Sequence, residues 1–564
     1  MDKIVKSNFN MSQWVTFFSR KKIYNQIAMR LNALSLTCII SIGLFVRIYN
    51  IYISPLSFGK DIMWVWSRNL FSFSSLTEGF WHPPLYQIIL IAVDRIYFSL
   101  GYLLGFFNSI LDFETRRITD VFSFFLLARF VNVVLGLITI IIIYLIGKKI
   151  QDKRTGLFAA LLLACSYPHV DLCRSINNDI LVTLLISLAF LFILDIVFSG
   201  NPKSYLKSGF VIGLAITAKY TGFLALFPFI VAHFLNKRTL GLRDKKLYFG
   251  LSFVFLGFLV GFPTFFLETG ALLNNINWRV MALLKEQTNY YYINNGLLFL
   301  KIIYEENGFL ISTFSIIGII YCLLRSTRKI NLILLSFPLF FYLIICISKT
   351  TEEHWLLPVF PFLLLICAYF VVKLIDKIKL PYIKINNYIL MVLVIIMVFS
   401  PAKRILQTEH ALLGTDIDEA KNQWTKKFTS NINLKDIASQ AAAGKNVWAK
   451  ITGSKSPFPI VARTPYMSTY DGPTVIISGR VILKSGDNSL IKAYIHRGCY
   501  PERQPIIAIA CIPGPGEYSI KVPRNCGWIN IRVAGGFVVK KNFLFPNIIN
   551  VKDSNIDGID LIVQ

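Results

Sequence analysis

The sequence predicts a mainly α, polytopic transmembrane helical fold followed by an extramembrane, all-β, sandwich-like domain. Three observations predict it. Of 564 residues, 55% are hydrophobic and only 16% charged, where soluble chains carry about 25% charged residues. The apolar residues gather in runs about long enough to cross a bilayer. From about residue 450, Gly and Pro instead punctuate short runs of β-formers. With a mean hydropathy of +0.57, one soluble core cannot bury the apolar surface, so the bilayer has to act as part of the solvent.

The apolar runs are 31–49, 122–146, 156–173, 178–199, 206–219, 221–236, 247–267, 308–325, 330–348, 355–373 and 386–402. Basic clusters test this map. Lys21, Lys22 and Arg30 precede the first run; Lys148, Lys149, Lys153 and Arg154 follow the second; Lys203 and Lys207 follow the fourth. Lys237, Arg238, Arg243, Lys245 and Lys246 follow the sixth, Arg325, Arg328 and Lys329 the eighth, and Lys373, Lys377, Lys379 and Lys384 the tenth. If all eleven runs cross, every cluster falls on one side, the cytoplasm, and the tail lies outside. A further apolar stretch, 85–107, would break this parity. Asp94 and Arg95 within it favour a juxtamembrane or re-entrant helix on the outer side, since charge at the bilayer centre is costly. The expectation is a multi-pass protein of the plasma (inner) membrane with a cytoplasmic N-terminus.

The division follows: a basic segment 1–30, a transmembrane domain 31–402 with long outer loops 50–121 and 268–307, a polar linker with helical stretches 403–449, and a β domain 450–564. Trp278 and Tyr290 to Tyr292 in the second loop suit an interface anchor or a substrate-facing role. Strands are expected at Thr474–Leu483, Ile491–Ile495, Ile506–Ile512, Glu517–Val522, Trp528–Val533 and Ile559–Val563. The net charge of +27 sits in short loops between apolar runs. That pattern argues for membrane lipids and anionic ligands as partners, not for nucleic acid. Cys38, Cys165, Cys173, Cys322, Cys346 and Cys367 read as small core residues. Cys499, Cys511 and Cys526 lie in the tail, and no cysteine spacing resembles a zinc site.

Candidate functional residues collect on the expected outer side. Asp61 can accept a proton from an acceptor, or be a solvated loop charge. His82 opens His82-Pro83-Pro84-Leu85-Tyr86, either near a phosphate or at a rigid entry to a helix. Arg174 and Asp179 flank a tight turn and suit an anionic ligand with a polar network, or an ion pair. Lys219 ends a short helix, where it can snorkel or hold a lipid phosphate as a point charge. Lys349, Glu352, Glu353 and His354 precede Trp355-Leu356-Leu357-Pro358. Polar groups at membrane depth tend to mark function.

These stretches resemble the GT-C-fold glycosyltransferases, with the protein O-mannosyltransferases and the bacterial lipid A aminoarabinose transferases as the nearer families. The resemblance rests on Asp61 followed by the HPPLY stretch, Ala128-Arg129-Phe130, Cys173-Arg174-Ser175 with Asp179, Gly213-Leu214-Ala215 with Lys219-Tyr220, and Trp355-Leu356-Leu357-Pro358 with Pro361. It covers roughly residues 30–375. It implies a polyprenyl- or dolichyl-phosphate-linked sugar donor, an acceptor lipid, glycan or protein, and inverting transfer at the outer face. On it, Asp61 matches the first-loop acid, His82 the HPP histidine, and Arg174 and Asp179 the second outer motif, with Lys219 and Lys349 as donor-phosphate contacts. One departure matters: relatives often pair two acids where Asp61 stands between Lys60 and Ile62. The departure weakens the case for a two-carboxylate or metal-bridged site; a single acid can still act as general base, and the scheme requires no cofactor, with a divalent metal left open but unsupported. Separately, Val475 to Val481 and Gly516 to Pro523 resemble carboxypeptidase-regulatory or transthyretin-like β-sandwiches, which usually bind or brace. Two rival functions stand beside transfer. A lipid-linked substrate transporter or flippase needs a polar pathway through the bilayer middle, and the nearly charge-free centres of these spans disfavour it. A non-catalytic scaffold using the β domain leaves the outer charges unexplained.

Overall fold

The computed structural model describes residues 34–49, 51, 83–236, 241–267, 295–326, 328–346, 353–377, 383–410, 438–440 and 443; in the tail it describes 472–483, 491–497, 506–512, 516–525, 527–533, 536–540 and 548–563. The helices in chain order are α1 (Leu34–Ile48), α2 (Leu85–Leu103), α3 (Ile110–Thr119), α4 (Val121–Ile150), α5 (Lys153–Ala164), α6 (Tyr167–Cys173), α7 (Asp179–Ser199) and α8 (Pro202–Ala218). Then come α9 (Leu226–Leu235, entered through a 3-10 turn Tyr220–Ala225), α10 (Lys245–Gly261), α11 (Asn295–Asn307), α12 (Phe309–Leu324) and α13 (Lys329–Cys346). A 3-10 segment Glu353–Val359 leads into α14 (Phe360–Lys377), and α15 spans Ile383–His410.

Each expected apolar run falls on a helix or helix pair. By length and composition, five described helices suit a span, or six if the bent pair α5–α6 is one; α2 is among them. The other runs form shorter helices, such as Leu34–Ile48, Tyr220–Leu235 and Phe309–Leu324. The chain is a multi-pass, mainly α membrane protein with a C-terminal β domain, the fold class read from its sequence.

Two expectations need correction. The run 156–173 is not one straight helix: α5 and α6 meet at 59°. Pro168 lacks an N–H and its ring would collide with the Ala164 carbonyl, so the helix breaks ahead of it. Arg47, from α1, donates to the carbonyls of Ala164 (2.9 Å) and Leu163 (3.3 Å) that the break releases. The second is Cys38, which is exposed, while Cys165, Cys173, Cys322 and Cys367 are buried as expected. Beyond the last apolar run, α15 continues to His410 through Pro401, a helical stretch in the segment read as a polar linker.

The helix α2, expected as a juxtamembrane or re-entrant element, is long and apolar enough to cross a membrane, and its contacts fix its course along α4. Its Tyr86 hydroxyl donates to Asn132 of α4 (3.0 Å), and further on its Tyr97 ring meets Phe124 (centroids 6.0 Å). Asn132 lies about 12 Å along α4 from Phe124 at 1.5 Å per residue. α2 thus leads toward the start of α4, away from its basic end. Phe107 and Phe113 pack edge-on beside Tyr97 and close this corner.

Ion pairs gather several of the basic clusters at one end of the bundle. Lys149 binds Asp195 (2.5 Å), and Arg154 forks onto Asp376 (2.8 and 3.0 Å). These contacts tie α4 to α7 and α5 to α14. α8 and α10 approach backbone to backbone. A Cβ on Gly213 would lie 2.1 Å from the Val254 carbonyl, and one on Gly257 2.1 Å from that of Phe210. Small residues of this kind let helices associate in lipid, where burial of apolar surface gives no drive.

The tail forms two four-stranded sheets, ordered β4-β1-β8-β6 and β3-β2-β5-β7. β1 (Thr474–Leu483) pairs antiparallel with β4 (Gly516–Pro523) and parallel with β8 (Ile559–Val563). β2 (Ile491–Arg497) lies between β3 (Ile506–Ile512) and β5 (Gly527–Val533). All six expected strands form. Sequence reading missed β6 (Gly536–Lys540) and β7 (Ile548–Val551), both shorter than the others save β8. Val475 and Ile477 of β1 are buried, as are Tyr518, Ile520 and Val522 of β4. That alternation gives each of the two strands one covered face.

Candidate functional site

At the end of the bundle opposite the basic clusters, α7 begins with Asp179, and three expected residues meet there. Lys219 Nζ donates to Asp179 Oδ1 at 2.6 Å, and His354 Nε2 lies 3.6 Å from Asp179 Oδ2. The Asp179 and Lys219 side chains are 1% and 8% exposed, and His354 17%. The local sequence explains each placement. Asn177 accepts the Asp179 N–H through Oδ1 (2.8 Å) and so shapes the start of α7. Asn178 Nδ2 donates to the Ala218 carbonyl (2.8 Å), which pins the end of α8 beside it. Lys219 then leaves the helix in an extended conformation, φ −156°, and turns its ammonium to the carboxylate. His354 enters on the 3-10 segment ahead of α14.

Arg174 stands at the other end of the same turn. It is buried, and its guanidinium donates to the Val46 carbonyl at the end of α1. Burial pushes its pKa down to about 10, against the favourable pull of Asp171. It therefore stays a cation at neutral pH. The turn between Arg174 and Asp179 is held from α4: Asn132 Nδ2 donates to the Ser175 (2.7 Å) and Asn177 (2.9 Å) carbonyls. Asn132 in turn accepts from Tyr86, the tyrosine of the HPPLY stretch.

The result is a continuous polar relay through the packed end of the bundle. It runs from Tyr86 to Asn132, to the 175–177 turn, to Asp179, and from there to Lys219 and His354. Asp61, His82 and Lys349 lie outside the described residues. Pro83, next to His82, is buried, and Pro84 caps α2.

Sequence reading missed Asn132, the link between two motifs. A lone fully buried Asn in an apolar run was the available signal, because such an amide needs partners. It also missed Arg47, which is fully buried. Besides the carbonyls of Gly43, Ala164 and Leu163, Arg47 donates to His169 Nδ1 (2.7 Å). A guanidinium only donates, so His169 carries its proton on Nε2. A third missed pair is Arg404 and Glu306 (2.9 Å), with the Arg404 guanidinium 4.3 Å from the Tyr167 ring. Among the described residues, no group of three or more His, Cys, Asp or Glu is arranged to hold a metal ion.

Chemically, the site offers a buried cation whose charge one carboxylate balances, a second buried cation nearby in sequence, and a histidine on the same carboxylate. An arriving anion can draw on the two remaining N–H bonds of Lys219 while Asp179 keeps it oriented.

Residues 115–262, about a quarter of the chain, match the family described as dolichyl-phosphate-mannose-protein mannosyltransferase. That stretch holds Asn132, Arg174, Asp179 and Lys219, and the match bears out the resemblance read from the motifs. No curated protein matches the chain. Among solved structures it is similar to ArnT from Cupriavidus metallidurans in the apo state (14% identity, 75% of this chain and 76% of that one, TM-score 0.46). It is also similar to the apo oligosaccharyltransferase of Archaeoglobus fulgidus (11% identity, 70% and 59%, TM-score 0.42). A third likeness is to the Pmt1-Pmt2 protein O-mannosyltransferase complex of S. cerevisiae bound to the sugar donor (19% identity, 45% and 34%, TM-score 0.28). At these identities and TM-scores the likenesses are loose.

Proposed function

We propose that this chain is an integral-membrane glycosyltransferase. It moves a sugar from a polyprenyl-phosphate or dolichyl-phosphate donor to an acceptor at the outer membrane face, by inverting single displacement. The observation that carries this reading is the relay from Tyr86 through Asn132 to Asp179, Lys219 and His354. It joins stretches far apart in the chain around two buried cations, at one end of an apolar bundle. A phosphate ester on a lipid tail is the ligand such a place suits: charge for the cations and hydrocarbon for the helices.

In the proposed step, the acceptor heteroatom attacks the anomeric carbon as the bond from that carbon to the phosphate oxygen breaks. Asp61 takes the acceptor proton. The lipid phosphate leaves with the bonding pair, and Arg174, Lys219 and Lys349 offset its growing charge as preorganised cations in a water-poor site. Asp179 holds Lys219 in place before the donor arrives, and His354 shares that carboxylate. His82 borders the phosphate. The scheme routes no step through a metal.

Purified protein in proteoliposomes, given a labelled polyprenyl-phosphate sugar and a membrane extract as acceptor source, tests the reading. Label transferred to acceptor is the expected result. Label crossing the bilayer without transfer would make the protein a transporter, and neither outcome would leave a scaffold.

A further inference from the structure

At the basic end, four cations crowd where α12, α13 and α14 end or begin, and the proposed reaction uses none of them. Arg325 lies over the Tyr321 ring (5.4 Å to the centroid) and Lys377 over the same ring (5.8 Å). Lys373 lies over Tyr369 (4.8 Å), and the two rings are 6.5 Å apart. Arg328 stands on the same turn as Arg325, its N–H donating to the Arg325 carbonyl (3.1 Å) and its own carbonyl accepting from the Asn331 N–H (3.0 Å). The platform beneath them is fixed: Tyr369 donates to Asn331 Oδ1 (3.0 Å), and Asn331 Nδ2 donates to the Arg325 carbonyl (2.9 Å). Asp376, the acid on this stretch of α14, is already engaged by Arg154. Like charges held together on a rigid aromatic floor raise the energy of the unliganded protein, and an anion removes that penalty.

We infer that Arg325, Arg328, Lys373 and Lys377 form a site for the phosphate headgroup of an anionic membrane lipid. The surface below decides for a lipid over a free anion. Ile320, Leu323, Leu324 and Leu374 are 48%, 50%, 81% and 40% exposed, on the helices that carry the cations. An acyl chain lies along those side chains while its phosphate meets the cations. Basic pockets between transmembrane helices hold lipid headgroups in this way.

Native mass spectrometry of the full-length protein in detergent, titrated with phosphatidylglycerol or phosphatidylcholine, tests the site. Phosphatidylglycerol adducts persist on the parent and phosphatidylcholine adducts do not. The triple variant Arg325→Gln, Lys373→Gln, Lys377→Gln loses affinity by roughly a hundredfold, the summed effect of three near-surface cations. A control with the same charge removed, Arg243→Gln, Lys245→Gln, Lys246→Gln, keeps the parent's affinity. Equal loss in the control would mean diffuse attraction and overturn the site. Displacement of phosphatidylglycerol by excess inorganic phosphate alone would overturn the lipid assignment. Melting in lipid-free detergent guards against a folding defect. The triple variant should melt no lower than the parent, since repulsion is relieved, and only the parent should gain on adding phosphatidylglycerol. A variant that melts well below the parent without lipid would make these cations packing groups and sink the proposal.

Discussion

Lys219 donates to Asp179 at 2.6 Å, with both side chains almost wholly removed from solvent. Neither charge is tolerable there without the other. Removing one partner from such a pair typically destabilises by about 3–5 kcal/mol, whereas replacing both by neutral groups is far milder. Lys219→Met and Asp179→Asn should each lower the melting temperature in detergent, and the double variant should lie above the sum of the two. Additive losses would show that the pair is not coupled. Donor use in a folded Lys219→Ala protein should fall by roughly 10- to 150-fold, the value of one charge-assisted hydrogen bond. Unchanged kinetics would remove Lys219 from the site.

The link from α2 to α7 makes a graded prediction. Tyr86→Phe deletes one neutral hydrogen bond, worth about 0.5–1.5 kcal/mol. Asn132→Leu leaves the Ser175 and Asn177 carbonyls without the amide that holds them, a larger penalty of about 1–3 kcal/mol per buried group. Asn132→Leu should therefore lower both melting temperature and transfer rate more than Tyr86→Phe. The reverse order would mean that the turn is held by something else.

The limits of the sequence can be named residue by residue. Apolar length and charge placement made the helices legible, because both are one-dimensional signals. The 59° break at α5–α6 was not read, although Pro168 announces it, since the run stayed apolar on both sides. Asp179, Lys219 and His354 were picked separately as outer-side residues. That one carboxylate serves both bases is a three-dimensional fact with no sequence period behind it. Asn132 and Arg47 escaped notice because each is a single polar residue in an apolar stretch, and its partners are distant carbonyls. The strand β7, with four residues, was too short to stand out.

Gly213 belongs to the motif that ends in Lys219, and its role is packing. A side chain there meets the Val254 and Gly257 backbone at 2.1 and 2.8 Å, which cannot give way. Gly213→Val should push α8 off α10, displace Lys219 and lower the melting temperature. Overpacking of this kind typically destabilises by about 1–3 kcal/mol. Transfer should fall with it, while Gly105→Ala, where a Cβ meets nothing within 4 Å, should leave transfer intact despite its strained φ of +76°. Full activity in Gly213→Val would deny that the close approach positions the lysine.

Orientation is tested at the tail. If the basic clusters face the cytoplasm, a cysteine placed at Tyr470 in a background lacking reactive native thiols should react with an impermeant maleimide added to intact cells. Labelling only in inverted vesicles would turn the whole map over, and with it the side on which transfer is proposed.

The proposed base, Asp61, gives the sharpest test of the reaction. Asp61→Asn should abolish transfer while leaving donor binding nearly unchanged. Asn has almost the same shape, but its amide oxygen is too weakly basic to take up a proton at neutral pH. Loss of a general base typically slows a reaction by about 10²–10⁴-fold. No other acid lies between the first apolar run and Trp66, so no close neighbour in the chain can substitute. Glu78 is the next acid along the chain, and no motif surrounds it. Glu78→Gln is therefore the control, and it should keep parental turnover. Normal turnover in Asp61→Asn with loss in Glu78→Gln would move the base to Glu78. Normal turnover in both would take the base out of the first loop, and the displacement step would then need a proton acceptor from elsewhere in the site, with His354, on the Asp179 carboxylate, the first to examine.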